Sequence, residues 1–164
     1  MQEDNKQRRH TITALVENQP GVLARIVGLI SGRGFNIESL NVAATQDSTV
    51  SRLTMQVPGD DHVLEQVTKQ LNKLIDVIKV TDLTSARFLN RECVLVKVTA
   101  TRNTRSELIA LAGVFGGQIL SVQSDAVVIQ MIGDQDEVDG WLELLKPFRI
   151  LDISRSGVIA MAKE

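Results

Sequence analysis

The sequence predicts an α+β protein made of two ferredoxin-like βαββαβ modules in tandem. In each half of the 164 residues, apolar positions alternate with period two in strand-like runs and recur with helical spacing between them. The order of these patterns is strand, helix, strand, strand, helix, strand, and it repeats after a polar, unperiodic stretch at 84–91. Each half holds only about 75 residues, near the lower limit for an independent domain. We therefore expect docking or dimerisation to help stabilise both modules.

The first module shows this order most clearly. The alternation at 10–16 predicts strand one, and an apolar stripe follows at i, i+3, i+4 and i+7 before the glycines of SGRG end the helix. Residues 35–43 predict strand two, where the apolar phase slips between Ile37 and Leu40 and suggests a bulge. Strand three, a second helical stripe and the β-branched run IDVIKVT complete the module. The stripe of the first helix consists of Leu23, Ile26, Val27 and Ile30.

The second module repeats the pattern with different residues. CVLVKVTA, QILSVQ, AVVIQMI and FRILDI predict its strands, and helical stripes lie between the first two and between the last two. The final SRSGVIAMAKE is interpreted as a tail. The predicted division is a flexible N-terminal tail at 1–9, a first domain at 10–83, a linker at 84–91 and a second domain at 92–164.

Composition excludes several classes of protein. The net charge is −2, from 18 basic and 20 acidic residues without a long run of one sign, so no attraction to nucleic acid or to an anionic membrane is expected. Cys93 is the only cysteine, which excludes an intrachain disulfide and suits a reducing compartment. The chain shows neither a signal-peptide pattern nor a membrane-spanning apolar run. These features predict a cytoplasmic protein.

The fold itself does not identify a function, because RNA-binding, metal-sensing, hydrolytic and amino-acid-sensing domains share it. RNA recognition needs aromatic residues on the central strands, and the chain is 3% aromatic. A metal sensor needs grouped ligands, but His10 and His62 are far apart in sequence. Cys93 opens a predicted strand, where a small buried apolar residue is more common than a reactive thiol. No catalytic and no metal-binding residue is therefore predicted, although the sequence alone does not exclude an enzyme.

The segment ENQPG, between strand one and the first helix, is the strongest candidate for a binding site. Gly21 leaves the helix N-terminus without a Cβ, where N-H groups and the helix dipole suit a carboxylate. We expect this loop to lie close to the start of strand two, where Asn36 carries both amide donors and an acceptor. The ammonium group of an amino acid would then donate to an oxygen of Asn18, of Asn36 or of a backbone carbonyl, and its side chain would contact Val22, Leu23 or Ile37. The alternative is that Asn18 and Gln19 are only turn and cap residues, that Gly21 only permits the turn conformation, and that Asn36 only fixes the entry of strand two.

The run VENQPGVLARIVGLISGRGFNIESLNV closely resembles the ACT-domain opening of acetohydroxyacid synthase (acetolactate synthase) small, or regulatory, subunits. The resemblance continues through DSTVSRLTMQV, VLEQVTKQLNKLIDVIKV, ECVLVKV and the RSGV near the end, and so covers nearly the whole chain. NIESL together with SRLT and KQLNKLIDVIKV is specific to this family. Pro20 departs from some relatives, which have a small polar residue there.

The resemblance implies a non-catalytic regulatory subunit whose first module is an ACT domain. Such a subunit activates a separate catalytic subunit and confers feedback inhibition by a branched-chain amino acid, usually valine, bound where two ACT domains of a homodimer pair. Thiamine diphosphate, Mg and FAD are expected on the catalytic subunit, with no cofactor on this chain. The effector-binding positions carried over by motif are Asn18, Gly21 and Asn36. The alternative is a free-standing amino-acid-binding ACT protein with another target.

The second module lacks the features of the predicted site. Its corresponding loop, TATRNTRSEL, has no glycine before the helix, and Gln118 stands near the position equivalent to Asn36. We therefore predict that the second module serves dimerisation or partner contact. Arg52, Arg87 and Arg91 are candidates for contact with the catalytic subunit, although exposed arginines are usually only solvated.

Overall fold

The computed structural model describes residues 8–163, which divide into two compact units. The first unit contains residues 8–89 and 158–163, and the second contains residues 90–157. The predicted N-terminal tail lies outside the described residues except for Arg8 and Arg9, and Arg9 already belongs to the first strand. The predicted α+β class is confirmed, since each unit combines an antiparallel sheet with two helices.

The first unit contains a four-stranded antiparallel sheet, in which inward-facing residues of period two meet the apolar faces of two helices. Its elements are β1 (Arg9–Glu17), α1 (Val22–Ser31), β2 (Ser39–Ala44), β3 (Val50–Pro58), α2 (Asp61–Leu71) and β4 (Val77–Asp82). The strand order is β2-β3-β1-β4, so β2 and β4 are the edge strands. Its core holds Ile12, Ala14 and Val16 of β1 together with Ile26 and Ile30 of α1.

The second unit repeats this topology with the strand order β6-β7-β5-β8. Its elements are β5 (Phe88–Thr99, which starts in the first unit), α3 (Arg105–Val114), β6 (Gln118–Val122), β7 (Ala126–Gly133), α4 (Gln135–Leu145), a 3-10 turn (Lys146–Phe148) and β8 (Ile150–Arg155). Asp134 begins α4 with a capping box in which its carboxylate accepts from Glu137 N-H at 2.9 Å. The core centres on Val94, Val96 and Trp141.

Strand two is shorter than predicted. It begins at Ser39 rather than at residue 35, and its register with β3 runs without a shift from Ser39 to Ala44. The slip predicted between Ile37 and Leu40 falls at the start of the strand, where Glu38 N-H donates to Gln56 O at 3.0 Å although Gln56 is paired with Ser39. Phe35 and Ile37 pack against the core from the preceding loop. Apolar side chains that pack on the core from a loop give the same alternating pattern in the sequence as a strand does.

The C-terminal residues form structure where a tail was predicted. A ninth strand, β9 (Ile159–Ala162), pairs with β5, and β5 itself begins at Phe88, inside the predicted linker. Val158 N-H donates to Ser39 Oγ at 3.0 Å, and Lys163 N-H donates to Arg87 O at 2.8 Å. These bonds tie residues 158–163 to the first unit, whereas the predicted division assigned them to the second domain.

Candidate functional site

The loop between β1 and α1 is held against the turn that joins β2 to β3. Asn18 N-H donates to Thr49 O at 2.8 Å, and its side-chain Nδ2 donates to Ser48 O at 2.8 Å. The loop therefore lies at the end of β2, and the prediction that it lies close to the start of β2 is wrong. The reason is topological. β1 and β2 both pair antiparallel with β3, so β1 and β2 run in the same direction and their C-terminal ends lie at the same end of the sheet.

The N-terminus of α1 presents backbone N-H groups without a side-chain cap. Gly21 is the N-cap residue, with φ 84° in the left-handed region that favours glycine. No side chain caps this end, and the first turn contains no acidic residue. By contrast, the carboxylate of Asp60 accepts from Val63 N-H at 3.0 Å at the start of α2. The start of α1 is therefore suited to an external carboxylate.

A small pocket of about 60 Å³, partly open to solvent, lies beside this helix start. This volume is well below that of an ordinary ligand site, about 300 Å³, so the pocket within one chain is a shallow depression rather than an enclosed site. Three predicted site residues line the pocket: Asn18, Val22 and Leu23. Sequence reasoning missed its other lining residues, which are Val16, Glu17, Gln19, Ile26, Val42, Ser51 and Leu53.

Gly21, Asn36 and Ile37 do not line this pocket. Asn36 is exposed in the loop between α1 and β2, and Ile37 packs against the core from the same loop. Ser39 pairs with Gln56 and lies five positions before Ala44 along β2, which corresponds to about 17 Å. Within one chain the two parts of the predicted site are therefore at opposite ends of the sheet.

An ion pair braces the first turn of α1. Arg25 Nε donates to Asp76 Oδ2 at 2.8 Å, and this hydrogen bond raises the pKa of the Arg25 guanidinium above its ordinary value. A Cβ built on Gly21 would stand 3.2 Å from Arg25 Nη1. The absence of a side chain at Gly21 thus leaves room for Arg25 as well as permitting the positive φ.

The other predicted candidates lie apart from this pocket. Cys93 is half-buried in β5, and its N-H donates to Ser156 Oγ at 3.0 Å. His10 is buried, with Nε2 3.1 Å from Gly59 O, whereas His62 is exposed. Within residues 8–163, no three His, Cys, Asp or Glu side chains are grouped so that they could hold a metal ion. No helix in this range is long and apolar enough to cross a membrane.

Comparison with known proteins places the chain in a family. Residues 12–79 match the model of the acetolactate synthase small-subunit-like ACT domain, and residues 91–164 match the model of the small subunit of acetolactate synthase. The acetolactate synthase small subunit of Aquifex aeolicus is 46% identical over 158 residues, which are 96% of this chain and 82% of that protein. The chain belongs to the acetolactate synthase small-subunit family.

Other members of the small-subunit family agree in sequence and in structure. The isozyme 3 small subunit of Salmonella typhimurium is 42% identical, with 94% of this chain and 96% of that protein aligned. The crystal structure of the small subunit from Thermotoga maritima superposes with a TM-score of 0.86 at 34% identity, covering 96% of this chain and 98% of that chain. The family resemblance read from the sequence is confirmed.

Proposed function

We propose that this chain is the non-catalytic regulatory subunit of an acetolactate synthase: it activates a separate catalytic subunit and makes that subunit sensitive to valine. The observation that carries the proposal is the pocket beside the uncapped start of α1 in a chain 46% identical to a small subunit. Thiamine diphosphate, Mg and FAD belong to the catalytic subunit in this proposal, and the holoenzyme is cytoplasmic.

The pocket offers both N-H donors for the carboxylate and oxygen acceptors for the ammonium group of an amino-acid zwitterion. Its carboxylate would accept from the N-H groups that follow Gly21, including those of Leu23 and Ala24 in the first turn of α1. Its ammonium group would donate to the side-chain oxygen of Asn18 or to a backbone carbonyl of the loop. Its aliphatic side chain would contact Val22 and Val42, which line the same pocket.

A two-fold dimer explains how Asn36 can contribute, although it lies far from the pocket of its own chain. If the β2 edges of two copies pair antiparallel, the start of each β2 comes opposite the end of the other. Asn36 of the partner subunit then approaches the turn that holds Asn18 and the adjoining pocket. The proposed effector site therefore combines the α1 start of one subunit with the loop before β2 of the second.

Reconstitution with a catalytic subunit tests this function. We expect the purified chain to co-elute with an acetolactate synthase catalytic subunit, to raise its rate of acetolactate formation, and to make that rate fall on titration with valine. A chain that neither co-elutes nor changes the rate would refute the proposal. Valine binding without either effect would favour the free-standing ACT protein with another target. Parallel calorimetric titrations with leucine and isoleucine identify the preferred effector.

A further inference from the structure

The turn between α2 and β4 displays an isoleucine almost completely to solvent. Ile75 is 94% exposed, although hydrogen bonds fix the turn that carries it. Leu74 N-H donates to Leu71 O, and Val77 N-H donates to Leu74 O, both at 3.1 Å. An aliphatic side chain held outward on such a turn loses little conformational freedom when it binds, which favours its use as an anchor.

A second isoleucine is exposed beside it on β4. Val16 pairs with Val77 and Leu15 pairs with Lys79, so Ile78 is the extra residue of a β-bulge and is 56% exposed. Bulges commonly re-aim one side chain of an edge strand. Lys73 and Lys79 are exposed on the same turn and strand. We call the exposed residues Lys73, Ile75, Ile78 and Lys79, which are apolar or basic, the β4 turn surface.

The β4 turn surface is joined directly to the rim of the pocket. Asp76 follows Ile75 and is only 8% exposed. Its backbone oxygen accepts from Glu17 N-H at 2.9 Å, and its carboxylate accepts from Arg25 Nε at 2.8 Å. Glu17 lines the pocket, and Arg25 belongs to the first turn of α1. A conformational change of the β1–α1 loop or of the start of α1 on effector binding would therefore be transmitted to this turn, because both are hydrogen-bonded to Asp76.

We propose that the β4 turn surface docks on the catalytic subunit, which offers it an apolar depression with a carboxylate rim; this inference rests on the regulatory role proposed above. The charge of this surface and its position on the sheet favour binding of the catalytic subunit over binding of a second copy of this chain. A two-fold contact at this edge would bring Lys73 and Lys79 close to their own equivalents, which is unfavourable. The surface also lies at the β4 edge, opposite the β2 edge used by the proposed dimer, so it stays accessible in the dimer.

The substitution Ile75→Ser tests this inference, with Val114→Ser as the matched control. Val114 is 79% exposed on α3 of the second unit and lies outside the β4 turn surface. Losing one buried aliphatic side chain should weaken binding of the catalytic subunit about tenfold or more. Titration of the catalytic subunit with each variant should therefore show half-maximal activation at a correspondingly higher concentration of Ile75→Ser. The Val114→Ser control and the wild-type chain should give half-maximal activation at the same concentration.

Valine-binding and activation measurements distinguish a wrong docking surface from a wrong regulatory role. Calorimetry of the isolated small subunit should give the same valine affinity for Ile75→Ser and the wild type, since Ile75 does not line the pocket. Lys79→Glu should also weaken docking and reduce its dependence on salt. If Ile75→Ser and Ile78→Ser both activate at wild-type concentrations, the inference is wrong and the regulatory role stands. If the wild-type chain fails to bind the catalytic subunit, the regulatory role itself is wrong.

Discussion

Replacing Gly21 with Asp is expected to abolish the response to valine while activation of the catalytic subunit persists. The new carboxylate would stand at the start of α1 and compete with the effector carboxylate for the same N-H groups. Asp tolerates the left-handed backbone better than most residues, and the contact at 3.2 Å involves only the flexible end of Arg25. The fold should therefore survive. A coupling free energy of the usual size, about 1–3 kcal/mol, should disappear from the valine titration.

Gly21→Ala separates charge from backbone strain in this experiment. Alanine adds the same Cβ in the same positive-φ position but no charge. We expect Ala to reduce valine sensitivity and Asp to eliminate it, with near-normal activation in the absence of valine for both variants. A Gly21→Asp holoenzyme still inhibited at the wild-type valine concentration would contradict the proposed role of the helix start. Loss of both folding and activation would instead show that Gly21 is needed for structure.

The second unit should lose about 3 kcal/mol of stability when Arg155 is replaced with Ala. Glu92 is only 3% exposed, and both of its carboxylate oxygens accept from Arg155, at 2.8 and 2.6 Å. These bonds raise the pKa of the Arg155 guanidinium, so the group stays charged. Removal of Arg155 leaves a buried carboxylate without this partner, which is far costlier than breaking a surface pair. We place the loss at the low end for buried pairs because Arg155 itself is partly exposed.

Denaturant unfolding followed by tryptophan fluorescence measures this loss directly. Trp141 is the only tryptophan of the chain and is buried in the core of the second unit, so its emission reports on that unit. Lys146→Ala removes an exposed pair with Glu143 in the same unit and serves as the control, with an expected change of less than about 0.5 kcal/mol. The double change Glu92→Met with Arg155→Met should recover most of the loss. Equal stability of Arg155→Ala and the wild type would contradict this account.

The fold was largely predictable because its signals are local. The helix starts follow capping residues such as Asp60 and Asp134, and the repeated order of patterns defined the two modules. The first apolar stripe was predicted correctly at Ile26 and Ile30, which are buried, but it starts at the buried Val22 and not at Leu23, which is exposed. The helix begins directly at Val22, so the inward stripe starts there. β9 was missed because a four-residue strand is too short to show periodicity.

The candidate site was predictable only in part because its second half depends on non-local pairing. The segment ENQPG predicted the position of the helix start correctly. Its glycine, Gly21, has the positive φ that the turn before the helix requires. Val42 and Leu53 were missed because their place beside α1 follows from the β2–β3 register, which no local pattern reports. Asn36 was placed beside Asn18 by an incorrect argument about strand direction. Asn36 can reach the pocket only from the partner subunit of the proposed two-fold dimer.

Complementation between two defective subunits tests the paired effector site most directly. Gly21→Asp and Asn36→Ala homodimers should each fail to bind valine at the wild-type concentration. In a heterodimer purified through two different tags, one site receives both defects, and the other combines Gly21 of the Asn36→Ala chain with Asn36 of the Gly21→Asp chain. Calorimetry should therefore find one valine site of near wild-type affinity per heterodimer, against two per wild-type dimer. A heterodimer with no such site would contradict an effector site shared between two subunits.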